Sequence, residues 1–283
     1  MRPLFILGNN RSGTSLFRMM LNGHSEIVIP PESHFFLWWY DKYAMWTPAA
    51  GFTEILRDIA SSTKFETWEL DMDRLQSELE AAPPRNYQEL VQRIYLAYAP
   101  EKSPMFWGDK NSLWVEKFDH IQAAFPDAIV LHLVRNGLDV ACSYRELAGK
   151  ALTTTYAPKL TDKITEIASI WSANNEALAA LGERLGTDRY RCIRFEDLLA
   201  DPKGTLTTVL AFLGLDFEEA MLEYHKTPLD EFKEPQAFLA WKSKLRQAPD
   251  ASSVDKYLQE LTSEDIDAFR SIAGNTLNKF GYT

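Results

Sequence analysis

The fold of this chain is decided by residues 3–15, which read PLFILGNNRSGTS. The apolar run from Pro3 to Leu7 predicts a buried strand, and the Gly, Asn and Ser residues after it predict a turn. An amphipathic pattern then predicts a helix from about Ser15 to Leu21. The chain is therefore expected to begin with a strand, a polar turn and a helix.

The same order of elements recurs further along the chain. Residues 128–134 and 190–195 predict two more buried strands, and helices are predicted at 138–147, 159–185 and 262–280. Strands that alternate with helices form parallel sheets covered on both faces. We therefore expect an α/β fold, a three-layer sandwich with a central parallel sheet.

Residues 35–100 contain many aromatic side chains and little strand pattern, with polar helical stretches at 71–80 and 87–99. They predict a helical insertion. This insertion covers the active site or, equally well, forms a helical layer on one face of the sheet. No internal repeat or linker is visible, so residues 1–283 are predicted to form a single domain.

Composition restricts the function. A net charge of −10 argues against nucleic acid or anionic membranes as partners. The apolar start is too short to span a membrane and lacks a signal-peptide pattern, so a cytoplasmic location without integral membrane association is expected. Cys142 and Cys192 are too few for a metal cage or a disulfide framework, and we expect both to be small buried side chains.

Residues 8–15 keep the G-x-x-x-x-G frame of a phosphate loop, which predicts a P-loop-like fold. Thr14 stands where nucleotide triphosphatases place lysine, so a monophosphate-like group fits better than ATP. Backbone N–H groups, the hydroxyls of Thr14 and Ser15, and the Arg11 guanidinium would hold that anion. The alternative is an ordinary glycine turn.

The run RSGTSL at residues 11–16 resembles the 5'-phosphosulfate loop of sulfotransferases that use 3'-phosphoadenosine-5'-phosphosulfate (PAPS). In that family the loop holds the phosphate that bears the transferable sulfuryl group. The resemblance implies cofactor contacts at Arg11, Ser12, Gly13, Thr14 and Ser15.

Residues 133–144, LVRNGLDVACSY, resemble the strand, turn and helix that bind the 3'-phosphate in this family. The resemblance implies phosphate contacts from Arg135 and Ser143. Arginine suits that position because its planar fork meets phosphate bidentately. The alternative for Arg135 is a surface ion pair.

Two weaker matches lie towards the end of the chain. Residues 194–202, RFEDLLADP, resemble the family's Arg-Tyr-Glu-Asp-Leu segment, with Phe195 in place of tyrosine and able to stack on the nucleotide or pack in the core. Residues 252–257, SSVDKY, resemble a late Ser-x-x-Arg/Lys-Trp segment that closes over the nucleotide. The match implies contacts from Ser253 and Lys256, and a plain helix start is the alternative.

Candidate catalytic groups follow the first helix. Glu32, in the run PPESHF at residues 30–35, matches the catalytic glutamate of the tyrosylprotein and heparan types of sulfotransferase. His34 is the rival base, although a histidine among aromatics is more often packed. The small-molecule branch uses a histidine two residues after a lysine, and here Ser112 occupies that position after Lys110, which favours Glu32.

Lys110 resembles the family's lysine that contacts the sulfuryl group or the bridging oxygen. With Arg11 it would place two cations near the leaving oxygen. No metal site is expected, because no cluster of carboxylate, His or Cys ligands has a recognisable spacing.

The leading hypothesis is a sulfotransferase that moves a sulfuryl group from PAPS to a hydroxyl or amine, on a small-molecule, glycan or peptide acceptor, and releases 3'-phosphoadenosine-5'-phosphate (PAP). The alternatives are a nucleotide-dependent phosphotransferase on a P-loop fold and a non-catalytic nucleotide-binding module.

Overall fold

A parallel sheet forms the centre of the molecule. The computed structural model describes residues 1–150, 156–227 and 234–282. Within these ranges, the strands of the sheet are β1 (Arg2–Leu7), β2 (Ile27–Val28), β3 (Phe106–Lys110), β4 (Ile129–Val134) and β5 (Tyr190–Arg194). Their order is β2-β3-β1-β4-β5, and every neighbouring pair is parallel. The predicted parallel sheet is confirmed.

Helices fill the segments between the strands and continue after the last one. Those described are α1 (Thr14–Asn22), α2 (Phe35–Trp38), α3 (Tyr40–Tyr43), α4 (Thr53–Ala60), α5 (Met72–Ala81), α6 (Tyr87–Ala97), α7 (Phe118–Ala124), α8 (Gly137–Ala148), α9 (Ile164–Leu185), α10 (Phe195–Ala200), α11 (Pro202–Leu213), α12 (Leu239–Lys242), α13 (Tyr257–Glu260) and α14 (Ser263–Lys279). The helix expected from residue 159 begins only at Ile164. The Thr161 hydroxyl accepts the Lys163 N–H at 3.2 Å, a local bond that competes with helix formation.

Side chains of β1 point alternately to the two faces of the sheet and so contact both helical layers. Leu4 and Ile6 pack in one cluster with the apolar sides of α1, α10 and α11. Phe5 and Leu7 point to the opposite face and pack against the helices of the insertion. Successive side chains of a strand face opposite sides, so one strand supplies both interfaces of a three-layer sandwich.

The predicted insertion is helical and packs on one face of the sheet. Tyr43 and Trp46 are buried there, and Trp39 and Tyr40 pack against the same cluster. Trp38, by contrast, is 60% exposed. The aromatic run that follows Glu32 thus serves mainly as core.

One expectation about the cysteines is wrong. Cys142 is buried, but Cys192 is exposed. Cys192 lies on β5, an edge strand of the sheet, which leaves part of that strand open to solvent. Among the described residues, no helix combines the length and apolar character that crossing a bilayer requires.

The strand ends position the site. The phosphate loop follows β1, Lys110 ends β3, Arg135 follows β4, and Phe195 follows β5. Because parallel strands share one carboxyl edge, these residues, far apart in sequence, converge at the place where open α/β sheets bind ligands.

Candidate active site

The phosphate loop follows a tight path that depends on two glycines. Gly13 has a φ of +88°, and a Cβ there would lie 2.2 Å from the Phe195 ring. A Cβ on Gly8 would lie 2.5 Å from the Leu133 carbonyl oxygen. Helix α1 begins directly after Gly13, so its first N–H groups face the loop and favour an anion there.

Arg11, a half-buried residue of this loop, meets the buried Arg135. Nε of Arg11 donates to the Ser143 hydroxyl at 3.0 Å, and one terminal nitrogen reaches the Trp241 carbonyl at 3.4 Å. Arg135 donates to the carbonyls of Arg11, at 3.0 Å, and Ser253, at 2.6 Å. These bonds all go to neutral oxygens. Burial, followed by the neighbouring Arg135 charge, lowers the pKa of Arg11, and burial also lowers the pKa of Arg135.

Phe195 lies between the loop and Arg135. The guanidinium carbon of Arg135 is 5.1 Å from the centre of the Phe195 ring, and the same ring would be met by a Cβ on Gly13 of the loop. The adjacent Glu196 accepts the Asn136 N–H at 2.9 Å and the Tyr282 hydroxyl at 2.7 Å. Glu196 therefore fixes the turn after β4, while Phe195 forms part of the cavity wall.

The segment that contains Ser253 and Lys256 is fastened over the same region by Asp139. The Asp139 carboxylate accepts the N–H groups of Asp255, at 2.9 Å, and Tyr257, at 3.1 Å. Ser253 accepts from Arg135 through its carbonyl, and Lys256 pairs with Glu260 at 3.0 Å. Residues 194–202 and residues 252–257 thus both lie against residues 133–144.

A cavity of about 460 Å³ connects these elements. Its wall includes most of the residues predicted from the sequence: Arg11, Gly13, Thr14, Ser15, Glu32, Lys110, Arg135, Ser143, Phe195, Ser253 and Lys256. Two predicted residues are outside that wall. Ser12 is fully buried and donates its N–H to the Asn9 carbonyl at 3.2 Å, and His34 lies beside Glu32.

Glu32 lies at the centre of a cluster of buried charges. Its Oε2 accepts from Nζ of Lys110 at 2.5 Å, and its Oε1 accepts from Nζ of Lys64 at 2.5 Å. The His34 Nε2 atom is 3.7 Å from Oε1. The two candidate bases are therefore neighbours, and a lysine holds each oxygen of the carboxylate.

The electrostatic surroundings affect the two bases differently. Burial acts to raise the pKa of Glu32, but the ammonium groups of Lys110, Lys64 and Lys242 together outweigh it and hold that pKa well below its usual range. Burial lowers the pKa of His34 to about 4, although the Glu32 charge opposes this shift. At neutral pH, Glu32 is ionised and His34 is neutral.

Two lysines of this cluster were not predicted from the sequence. Lys64 lies in the insertion with a φ of +70°, and Lys242 ends α12. Neither follows a predicted strand or belongs to a phosphate-binding pattern. Only the folding of distant segments onto the carboxyl edge brings them to Glu32.

Sequence comparison places the chain among related proteins. A family model described as the sulfotransferase family matches residues 3–219. Nodulation protein NoeE of Sinorhizobium fredii (strain NBRC 101917 / NGR234) is 24% identical in an alignment 293 positions long, which covers 98% of this chain and 65% of NoeE. An uncharacterized protein of Aquifex aeolicus (strain VF5) is 25% identical over 239 residues, which cover 80% of this chain and 27% of that protein. The chain thus spans less than two thirds of the length of either relative.

Solved structures share the fold. The sulfotransferase domain of the Synechococcus PCC 7002 olefin synthase has a TM-score of 0.63 at 23% identity, with 96% of this chain and 94% of that one covered. The sulfotransferase domain from the curacin biosynthetic pathway has a TM-score of 0.62 at 21% identity, with coverage of 100% and 98%. Mouse sulfotransferase SULT7A1, solved with PAP, has a TM-score of 0.50 at 11% identity, with coverage of 99% and 88%. Because the family model covers well over half of its residues, this chain belongs to the sulfotransferase family.

Proposed function

We propose that this protein transfers a sulfuryl group from PAPS to a hydroxyl or amine acceptor and releases PAP. The observation that carries the proposal is that one cavity wall combines the phosphate loop, the arginines Arg11 and Arg135, and the Glu32–Lys110 pair. When bound, PAPS supplies an activated sulfuryl group. The family and the PAP complex of the structurally similar mouse enzyme support this donor.

The residues present fit such a donor. Within the described ranges, the buried Nε atom of Arg135 has no hydrogen-bond partner, and this guanidinium forms its bonds only to carbonyls. Buried cations without a carboxylate partner favour an anion. Arg135 and Ser143, with Ser253 and Lys256 beside them, would hold the 3'-phosphate. The loop from Gly13 to Ser15 would hold the phosphate that bears the sulfuryl group.

Glu32 would accept the acceptor's proton, and Lys110 would stabilise charge on the departing phosphate oxygen. For an alcohol, a new S–O bond forms to the acceptor oxygen while the S–O bond to the 5'-phosphate breaks, and the electron pair of that bond stays with the phosphate. The acceptor proton goes to Glu32. His34, neutral and adjacent, remains the rival base.

The acceptor would enter on the side of the cavity where Tyr156, Leu160 and Trp241 provide apolar wall. These side chains pack in one small cluster with Phe238. An acceptor with a ring or an aliphatic part next to its hydroxyl matches this surface.

A nucleotide-dependent phosphotransferase is the runner-up, and it is disfavoured because Thr14 replaces the lysine that contacts β- and γ-phosphates. Thermal unfolding with added nucleotide distinguishes a sulfotransferase from a phosphotransferase. PAP should raise the melting temperature without magnesium, and ATP with magnesium should not. Stabilisation by ATP and not by PAP would overturn the proposal. Transfer of a sulfuryl group to a simple phenol would exclude a non-catalytic binding module.

A further inference from the structure

Lys242 is a largely buried lysine of the cavity wall that belongs to none of the sequence motifs. Its side chain is 12% exposed, and its Nζ donates to the carboxylate of Glu234. The ammonium also lies 4.9 Å from the centre of the Phe238 ring. These contacts hold the charge in one place and leave it facing the cavity that contains Glu32 and Lys110.

Glu234 fixes Lys242 relative to the phosphate loop. Its carboxylate, 1% exposed, also pairs with Arg18, a fully buried residue of the helix that follows the loop. Arg18 donates in addition to the Ile29 carbonyl at 3.0 Å. Burial acts to raise the pKa of Glu234, but Lys242 and Arg18 lower it to about 2. The carboxylate is therefore a permanent anchor between the two cations.

Among the described residues, lysines outnumber carboxylates around the transfer site. Lys242 is close enough to Lys110 and Glu32 for their charges to interact, and burial, opposed by Glu234, lowers its pKa to about 8. It is mainly protonated at neutral pH. In the part of the chain that the structure describes, three lysines of the cavity wall, Lys64, Lys110 and Lys242, are paired here with two carboxylates, those of Glu32 and Glu234. Uncompensated buried charge is costly, so this excess favours an anion at the site.

The sequence motifs assign the second cation near the leaving oxygen to Arg11. In the structure, Nε of Arg11 donates to Ser143, within residues 133–144, and a terminal nitrogen of Arg11 reaches the carbonyl of Trp241, the residue before Lys242. We propose that Lys242 is a catalytic residue that binds the sulfuryl oxygens together with Lys110, an inference that rests on the proposed function. Glu234 and Arg18 are then positioning residues. Lys242 forms no covalent bond, and its charge stabilises the sulfuryl group as that group passes between two oxygens.

The test compares the binding of PAPS, which carries the sulfuryl group, with the binding of PAP, which lacks it. K242M should weaken PAPS binding about ten- to a hundredfold, as expected for a lost charged hydrogen bond, and change PAP binding little. It should also lower turnover of a phenolic acceptor about a hundred- to a thousandfold. K226M is the control, because Lys226 is an exposed lysine paired with Glu223 outside the cavity wall, and it should match wild type in both assays.

K242R keeps the charge and should retain most of the preference for PAPS over PAP. E234Q keeps the lysine but loosens its anchor, so it should lower turnover less than K242M does. These two variants also test the proposal if K242M unfolds. Equal losses of PAP and PAPS affinity, or unchanged PAPS binding and turnover in K242M, would overturn the assignment. A wild-type protein that binds neither nucleotide would instead overturn the proposed function.

Discussion

The Nζ atom of Lys110 lies 2.5 Å from Oε2 of Glu32, and both side chains are largely buried. This contact joins the proposed base to the proposed cation of the leaving group. While it is intact, Glu32 is ionised but accepts a proton weakly, because its pKa is held well below the usual range. A donor whose oxygens attract Lys110 would relax that effect. We therefore expect Glu32 to become an effective base only when the sulfuryl donor is bound.

Replacement of the base is the first prediction. Glu32→Gln should lower kcat by about two to four orders of magnitude and leave PAP affinity near wild type, because the amide keeps the shape but cannot accept a proton. The loss should be smaller for a phenol than for an aliphatic alcohol, because a phenol with a pKa near 10 needs less help. Steady-state kinetics and PAP titration provide the measurements.

The matched control is His34→Gln, at the neighbouring candidate base. It should retain measurable turnover on the same acceptors. If His34→Gln abolishes turnover while Glu32→Gln leaves it intact, with PAP binding unchanged in both variants, the imidazole is the base.

A second prediction concerns Lys64, whose ammonium lies 2.5 Å from Oε1 of Glu32. Lys64→Met removes one of the charges that lower the pKa of Glu32, so the folded-state pKa should rise. Because the ionised carboxylate is the active form, the acidic limb of the kcat/KM profile at low PAPS should move to higher pH. An acidic limb that stays in place or moves to lower pH would contradict this electrostatic account.

Arg135 provides the third prediction. Arg135→Ala should weaken PAP binding strongly and the binding of adenosine 5'-phosphosulfate much less, because the second ligand has no 3'-phosphate. Isothermal titration of both ligands measures the difference. Equal losses would show that Arg135 does not serve the 3'-phosphate.

Arg11 provides the fourth prediction, which depends on its contact with Ser143. Arg11→Ala should weaken PAP binding by more than it weakens adenosine 5'-phosphosulfate binding, as at Arg135. It should also reduce kcat/KM for PAPS. If kcat falls while the affinity for both nucleotides is unchanged, the Arg11 side chain acts at the leaving oxygen, as the loop motif alone would imply.

Strands β1, β4 and β5 and the phosphate loop could be predicted from the sequence because their signals are local. The two-residue β2 and the partly polar β3 were not predicted. The apolar run from Pro3 to Leu7 and the glycines at 8 and 13 specify a strand and a turn whatever packs around them. The exposure of Cys192 could not be predicted in this way, because it depends on β5 being an edge strand. That the whole chain forms one domain, and that it is cytoplasmic, stay predictions.

Site residues could be predicted where they follow a predicted strand or match a family motif, and they could not be predicted elsewhere. Arg135 stands at the end of the apolar run 128–134, whose carboxyl end lies at the edge where a parallel sheet binds ligands. Lys110 follows the polar Gly108 and Asp109, and only the family resemblance identified it. Lys64 and Lys242 reach Glu32 from the insertion and from a short helix near the end of the chain, through packing that no local pattern encodes. The place of Arg11 beside Ser143 likewise depends on contacts between segments 132 residues apart.

The most direct test uses PAPS whose sulfuryl group carries a radioactive label. Purified protein is incubated with this PAPS and a phenolic acceptor, without added metal ion, and the label is followed. The account predicts that labelled sulfate ester and PAP form in equal amounts and that Glu32→Gln reduces both together. Acceptors with alcohol, amine and sugar hydroxyl groups extend the same assay. Wild-type protein that leaves the label in PAPS with every acceptor, or releases it only as inorganic sulfate, would contradict the account.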